Sequence, residues 1–393
     1  MSYMINLLVL TTLYPNSEQP RHGIFIETRL KELRKSGDIS ATIIAPVPWF
    51  PIASERFGQY GTYAKVPRVE EREGVTVHHP RYLVLPKIGM YITPFFLAVT
   101  LLLTTLKLAR QGNKFDLIDA HYFYPDGVAA ALVSLFVRLP LVISARGSDV
   151  NVLPCYWGPR KLIQWAGRRA NAVVAVSETL RKKILGLGIP PERTYTLRNG
   201  VDTGFFKRSS SQTNANSSDS LALLSVGNLV ELKGHHLVIE ALAQLPDSVK
   251  LTVVGSGPQE AALRQLAREL ELEERVSFVS NVLQHELVEI YSRSDLMVLA
   301  SSREGWANVI LEALACGVPV VATNVGGAKE AITDSVAGLV IDERSATAIA
   351  KAIEEVCQKG FAPEAASDYA QNYGWDEVVT KQVELYKGVT KHA

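Results

Sequence analysis

Two series of short apolar runs separated by helical patterns constrain the fold of this chain more than any other feature. In the first half INLLVL, ATIIAP, GVTVHH, FDLIDA, LVISA, AVVAVS and TYTL read as strands. Helical patterns such as IFIETRLKELRKS and GVAAALVSLFV lie between most of them. After the polar run SSSQTNANSSDS, residues 209 to 220, a second series begins: LALLSVG, KLTVVG, RVSFVS, DLMVLA, VPVVAT and AGLVID. Runs this short and this apolar suit strands buried on both faces, and parallel strands need a crossover between them, usually a helix. The expected fold class is α/β, with two doubly wound domains over residues 1–205 and 206–375 joined by a flexible polar connection. Ligands in such sheets bind at the C-terminal ends of strands, so the site is expected in a cleft where the two domains meet.

Bulk properties fit an enzyme. The 393 residues suffice for two domains, 47% are hydrophobic and the formal net charge is +1. Neither disorder nor a nucleic-acid-sized basic surplus is indicated. Cys155, Cys316 and Cys357 are far apart, as reduced thiols of a cytoplasmic protein are, and no zinc-like Cys/His spacing occurs. The opening MSYMINLLVLTTLYP has no basic n-region or small-residue cleavage site and reads as a first strand. From Ile88 to Leu106 no charge occurs for 19 residues, close to the length a bilayer requires. Pro94 and four threonines in it favour a core helix with one face able to touch lipid.

SSREGWANVILEALACGVPVVA, residues 301–322, sets Glu304 and Glu312 eight positions apart. Asn308 reads as an N-cap, Leu311, Leu314 and Ala315 have helical spacing, and Gly317-Val318-Pro319 reads as a helix stop. Glu312 then lies about one turn into the helix, leaning back toward the end whose amides and dipole attract phosphate. A carboxylate there repels phosphate unless it binds something else, and vicinal sugar hydroxyls are a partner. Phosphates on the helix end, ribose on Glu312 and a second sugar near Glu304 would suit a nucleotide sugar. Glu304 as a loop charge and Glu312 as an exposed helix charge is the simpler alternative.

Other motifs sit at strand ends. Gly227-Asn228-Leu229 ends one strand, and Lys233-Gly234 opens the next helix, where an ammonium could meet phosphate. Gly255-Ser256-Gly257-Pro258 ends another, with Pro258 suited to a first helical position. It lacks the third glycine and the acidic partner of a dinucleotide fingerprint. In the first domain His121 ends FDLIDA at the expected cleft edge, and Arg146-Gly147-Ser148-Asp149 ends LVISA. A histidine so placed is either a structural hydrogen bonder or a catalyst.

Taken together, these motifs resemble the large retaining glycosyltransferase family 4, whose members have the two-Rossmann-domain GT-B fold. The resemblance covers nearly the whole chain. Its most specific element is the E-x7-E pair, Glu304 and Glu312. RHGIFIETRLKEL, HYFYPDG, RGSD, VSE, RNGVDTGFF, GNLVELKG and VGSGP are also similar. The combination of HYFYPDG with ARGSD resembles transferases of bacterial surface and exopolysaccharide assembly, including the teichuronic-acid type.

The resemblance implies a catalytic set of His121, Lys233 and Glu304. Glu304 would hold donor-sugar hydroxyls, Lys233 would offset diphosphate charge, and His121 would contact the transferred sugar. Glu312 would grip the ribose, and backbone amides around Trp306, Ala307, Asn308 and Val309 would meet the sugar and diphosphate. Gly23, Asn228 and Gly255 complete the donor side, Gly23 by letting its loop approach phosphate closely. Arg146, Asp149 and Asn199 would face the acceptor. Many relatives carry an arginine at the position of Asn228, so one diphosphate contact is missing here; many also carry a proline at the position of Arg198. With Glu304 and Glu312 assigned to hydroxyls, no carboxylate pair suits double displacement, and no Asp-x-Asp metal motif occurs. The expected mechanism is front-face departure of the diphosphate, with metal dispensable and no cofactor beyond the nucleotide-sugar substrate.

A uracil nucleotide is the family default, and the expected acceptor is a lipid-linked or growing glycan, with peripheral membrane contact at the inner face of the cell membrane. Nucleic acid is not an expected partner. A nucleotide-sugar epimerase, a dehydrogenase and a non-catalytic nucleotide-sugar-binding protein are the competing readings. The E-x7-E pair argues against the first, and the incomplete glycine fingerprint against the second. At the C-terminus Val378, Val379, Val383, Leu385 and Tyr386 have helical spacing. In the resembled fold such a helix crosses back to complete the first domain with residues 376–393. The chain would pass between domains after Asn199-Gly200-Val201-Asp202 and again near Gly374, forming a double hinge.

Overall fold

The structure is a computed structural model that describes residues 4–54, 56, 58–85, 88–208, 220–280, 282–360 and 362–391. Of the connection expected at 209–220, all but Ser220 lies outside the described residues. The chain divides into two compact units, Met1–Asn199 with Asp376–Ala393, and Gly200–Trp375. The crossing point thus falls six residues before the expected boundary.

The first unit carries β1 (Ile5–Leu10), β2 (Ile39–Ile44), β3 (Val47–Pro48), β4 (Val69–Arg72), β5 (Val75–His78), β6 (Arg81–Tyr82), β7 (Leu117–His121), β8 (Leu141–Ala145), β9 (Ala172–Ala175) and β10 (Thr194–Thr196). Eight of these form one sheet in the order β10-β9-β8-β7-β1-β2-β5-β4, while β3 and β6 pair separately. Every neighbour in the large sheet is parallel except β4 with β5. The strands β7, β8 and β9 are buried at every position, as strands under helices on both faces are, and in β7 this burial includes Asp119 and His121. The polar edge strand β4 (VEER) and the two-residue pair β3 and β6 escaped the sequence reading because they carry no apolar run.

The second unit carries β11 (Ala222–Val226), β12 (Lys250–Val254), β13 (Val276–Val279), β14 (Leu296–Leu299), β15 (Val320–Thr323) and β16 (Gly338–Ile341). They form an all-parallel sheet ordered β13-β12-β11-β14-β15-β16. This order reverses direction between β11 and β14. In the first unit the reversal lies between β1 and β7. Such switch points leave a crevice at the strand C-termini because flanking helices lie on opposite faces.

The C-terminal helix Trp375–Lys391 belongs to the first unit from Asp376 onward. Val383 and Tyr386 are buried in a core with Ile5, Leu7, Val9, Ile26 and Leu30. The segments on either side of the two crossings pair inside the second unit: Val201 donates to the Tyr373 carbonyl at 2.9 Å and bridges Gly374. The charge-free stretch expected as a core helix is the helix Gly89–Arg110, with Pro94 inside it and Leu97, Leu101 and Leu108 buried. Among the described residues it is long and apolar enough to cross a membrane by length and composition.

Candidate active site

In the second unit the candidate residues leave the two strands at the switch point. β11 runs into Gly227 to Lys233, and β14 runs into Ala300 to Glu304. Their neighbouring register, Leu223 opposite Leu296, brings two loops 71 residues apart side by side. Lys233 Nζ donates to Glu304 Oε1 at 2.6 Å, and Ser301 Oγ donates to the same oxygen at 2.7 Å. Ser301 is fixed in turn, its carbonyl accepting from Thr323 Oγ1 at 2.6 Å. Both ion-pair partners are largely shielded, with 21% and 12% of their side-chain surface exposed. The sequence assigned these two groups to different parts of a donor. The tertiary structure pairs them directly.

The glycine-rich loop after β12 packs on the loop after β11. Gly255 has φ +150°, and a Cβ there would sit 1.9 Å from the Gly227 carbonyl oxygen. Leu229 N–H donates to Ser256 O at 2.9 Å, and Gln259 N–H to Leu229 O at 2.9 Å, so the two loops form one backbone surface. Asn228 is exposed on it. Pro258 does not open a helix: the helix is Glu260–Glu269 with Gln259 as N-cap, so Pro258 stays in the turn. Beneath the loop, His235 is buried with Nδ1 2.8 Å from Ser225 Oγ, and burial pulls its pKa down to about 4.

The helix after Glu304 is Asn308–Ala315. Ala307, not Asn308, occupies the N-cap, and no side chain caps it; Asn308 is already the first helical residue. Trp306 and Ala307 are buried, Asn308 and Val309 half-buried. Glu312 lies where the spacing put it, but its Oε2 accepts a hydrogen bond from the buried Tyr291 hydroxyl at 3.1 Å. Burial pushes its carboxyl from the usual 4.5 up to about 7. The folded state therefore holds a proton that the unfolded chain releases. Stability from that proton is complete below the ordinary carboxylate pKa and is lost as pH rises through about 7. Glu312→Gln keeps a neutral group at every pH. Thermal melts should show the variant level with wild type near pH 5 and more stable near pH 8. A pH-independent difference would place the proton elsewhere.

In the first unit the switch-point strands are β1 and β7. Gly23 has φ +71° and precedes the helix Ile24–Lys35. A Cβ on it would lie 2.3 Å from the Leu13 carbonyl oxygen, so packing of the post-β1 loop already requires glycine at this position. Asp126, not singled out in the sequence, pins the same loop: it accepts from Thr12 N at 2.5 Å and Thr12 Oγ1 at 3.0 Å. Burial pushes its carboxyl up to about 7.

His121 ends β7 as expected, but its side chain is fully buried rather than exposed at an edge. Arg146 Nη2 donates to Nδ1 at 2.5 Å, which leaves the proton of the neutral ring on Nε2. Nε2 lies 3.0 Å from Asp119 Oδ2, an ion-pair distance whose angle falls short of a hydrogen bond. Burial lowers the His121 pKa, opposed by Asp119 and reinforced by Arg146, so the ring is held neutral. Arg146 itself is brought down to about 9 by burial and the like charge of Arg29.

These contacts close into a ring. Asn199 Oδ1 accepts from Arg146 Nη1 at 3.3 Å and from Arg29 Nη1 at 3.0 Å. Arg29 Nε donates to Gln382 Oε1 at 2.6 Å, Gln382 Nε2 donates to the Tyr386 hydroxyl, and that hydroxyl donates to Asp119 Oδ2 at 2.7 Å. Asp119 faces His121, completing the circuit. Arg29, Gln382, Tyr386 and Asp119 were missed in the sequence. The signal was present: Arg29 shares a helix face with Ile26, Leu30 and Leu33, and Gln382 shares one with Val379, Val383 and Tyr386. A polar residue on an apolar stripe requires a buried partner.

Asp149 differs from its acceptor-side expectation. Its buried carboxylate accepts from Phe123 N at 2.6 Å, Gly147 N at 2.7 Å and Arg146 N at 3.1 Å, which makes it a brace of the turn after β8. A groove of about 760 Å³ lined by Asn171, Arg193, Tyr195, Lys381 and Glu384 contains none of the predicted site residues.

Comparison with known proteins fits this arrangement. Residues 31–205 match the family described as Glycosyltransferase Family 4, and residues 206–373 that described as Glycosyl transferases group 1. The chain is 33% identical over 379 residues to a protein of Bacillus subtilis (strain 168) that carries the name teichuronic acid biosynthesis glycosyltransferase TuaC, covering 93% of this chain and 92% of the relative. Its fold is similar to sucrose-phosphate synthase from Thermosynechococcus elongatus, with a TM-score of 0.78 at 19% identity over 99% of this chain and 100% of the other. It is also similar to Anabaena Alr3699/HepE in complex with UDP-glucose, with a TM-score of 0.72 at 22% identity over 98% and 100%. With two Rossmann-like units of the GT-B type and both halves matched, this chain belongs to the group 1, family 4 glycosyltransferases.

Proposed function

We propose that this glycosyltransferase moves a sugar from a uridine diphosphate sugar to a glycan or lipid-linked glycan, with retention of configuration, in the assembly of a bacterial surface polysaccharide. The observation that carries the reading is the Lys233–Glu304 pair at the β11/β14 switch point, an ammonium and a carboxylate at hydrogen-bond distance beside a helix start. The carboxylate suits sugar hydroxyls, and the ammonium suits diphosphate oxygens. The name of the Bacillus relative supports the polysaccharide, and the UDP-glucose in the HepE complex supports the nucleotide.

In the proposed step the acceptor hydroxyl oxygen bonds to the anomeric carbon on the face from which the diphosphate leaves. The bond from that carbon to the diphosphate oxygen breaks, and the hydroxyl proton passes to that oxygen. Lys233 carries the developing charge, a preorganised electrostatic role. No metal is needed in this scheme, and no cofactor joins the nucleotide sugar. The compartment that fits is the cytoplasm at the inner face of the membrane.

Incubation with radiolabelled UDP-sugars, with and without a lipid-linked glycan, tests the reading. A new glycoside of unchanged anomeric configuration, formed only with acceptor, is expected. Release of free sugar or an epimerised nucleotide sugar without acceptor would overturn it. Asn228 offers a second check, because it is exposed on the loop that carries Lys233. Asn228→Arg should tighten nucleoside diphosphate binding about tenfold by adding a charge-assisted hydrogen bond, read by calorimetric titration.

A further inference from the structure

We infer that the helices Gly89–Arg110, Val128–Val137 and Trp157–Arg169 form one face that rests on an anionic lipid bilayer without crossing it. The three helices pack against one another within the first unit. At one end the Tyr91 ring lies against Gly158, where an added Cβ would come within 2.8 Å of it.

Large apolar side chains point outward from all three. On Gly89–Arg110, Phe95, Val99 and Leu103 recur at helical spacing, opposite the buried Leu97, Leu101 and Leu108, and Leu103 is 64% exposed. Phe136 is 71% exposed and Trp157 77%. Apolar groups exposed together in this way mark an interaction surface. Tryptophan and tyrosine favour the headgroup level, where an apolar ring with a polar edge is solvated at both ends.

Charge identifies the partner. The three helices contain six cations, Lys107, Arg110, Arg160, Lys161, Arg168 and Arg169, and no aspartate or glutamate. The whole chain is balanced, with 41 basic and 40 acidic residues. On Trp157–Arg169 the exposed positions 157, 160, 161, 165 and 168 alternate tryptophan with cation along one face, the pattern of a helix lying in a membrane interface. A second copy meeting this face through a twofold axis would bring these cations against themselves. An anionic lipid surface neutralises them and accepts the apolar groups. Crossing is disfavoured because the other side of Gly89–Arg110 is already packed in the first unit, with Pro94, Leu97, Leu101 and Leu108 buried. The inference rests on this surface and is independent of the reaction the enzyme catalyses.

Flotation of the full chain with phosphatidylcholine vesicles, with and without phosphatidylglycerol, tests it. Binding is expected on the anionic vesicles and should weaken with added salt. Arg160→Gln with Lys161→Gln should lower the apparent affinity about 30-fold, taking about 1 kcal/mol per cation at the surface. Phe136→Ser with Trp157→Ser should abolish flotation while the thermal melt stays cooperative, since both side chains are mostly exposed. Absence of wild-type binding to anionic vesicles would overturn the inference. So would binding that ignores salt and the paired glutamines, or a dimer in light scattering that the Phe136 and Trp157 changes dissolve without any vesicle binding.

Discussion

Lys233→Ala is expected to lower kcat by about 10²-fold or more, the loss associated with removing one preorganised donor at a developing anion. Lys233 is held 2.6 Å from Glu304, so the change has two consequences. It removes an ammonium from the proposed path of the leaving diphosphate, and it leaves a shielded carboxylate on Ser301 alone among these contacts. A double variant separates them. If Lys233 acts only by neutralising Glu304, then Lys233→Ala with Glu304→Gln recovers the rate. If Lys233 meets the diphosphate, the double variant stays at least as slow as the single one. Glu304→Ala alone should lower turnover more than donor affinity, whereas Glu312→Ala should mainly weaken donor binding, by about 0.5–1.5 kcal/mol for a lost hydrogen bond of a carboxyl that keeps its proton up to about pH 7. Normal kinetics in Lys233→Ala would remove this residue from the mechanism and direct attention to Arg198 and Arg303.

Ending the chain at Trp375 is expected to prevent the first unit from folding. The deletion removes Val383 and Tyr386 from the core around β1 and takes Gln382 and Tyr386 out of the buried ring. Asp119 and Arg29 would remain buried with fewer partners, and breaking one such buried ionic contact costs about 3–5 kcal/mol. An opened core adds about 2–5 kcal/mol for each large side chain lost. Against a total stability of about 5–15 kcal/mol, the sum leaves little or nothing. Circular dichroism should show loss of one cooperative transition. A finer probe is Tyr386→Phe, which removes only the hydroxyl that donates to Asp119 Oδ2. It should cost about 1–3 kcal/mol in stability through the unsatisfied Asp119 oxygen. If the ring positions His121, kcat should fall with KM unchanged and the pH profile should shift, because Asp119, which faces His121, loses the hydrogen bond that fixes it. A truncated protein with a wild-type melt and full activity would remove both claims.

The polypeptide specified its strands well because each is a short apolar run that can be buried only in the middle of a layered fold. LVISA and INLLVL match β8 and β1 residue for residue. Other runs such as VPVVAT start or end one or two residues away from the strand, where apolar residues continue into a turn without joining the ladder. Asparagine favours the N-cap in general, so the sequence alone points to Asn308 as the cap. Here the chain turns at Ala307, and no side chain caps the helix. His121 ends β7, Lys233, Arg146 and Glu304 follow strands β11, β8 and β14, and Glu312 lies in the helix after Glu304, the places their spacing gives them.

What the sequence alone determined is the α/β class, the two units, the strand-end residues and the apolar helix near residue 100. Tertiary structure decided which of these groups touch. Lys233 meets Glu304 because β11 and β14 are neighbours in the sheet, and no periodicity in the chain records that order. Asp149 became a backbone brace because the turn after β8 aims three amides at it. Arg29, Gln382 and Tyr386 joined Asp119 because the last helix packs in the core of the first unit, across as many as 353 residues of chain. Local patterns follow from local sterics and burial, whereas partners across such separations are selected only when the whole core closes and every buried charge needs a counterpart.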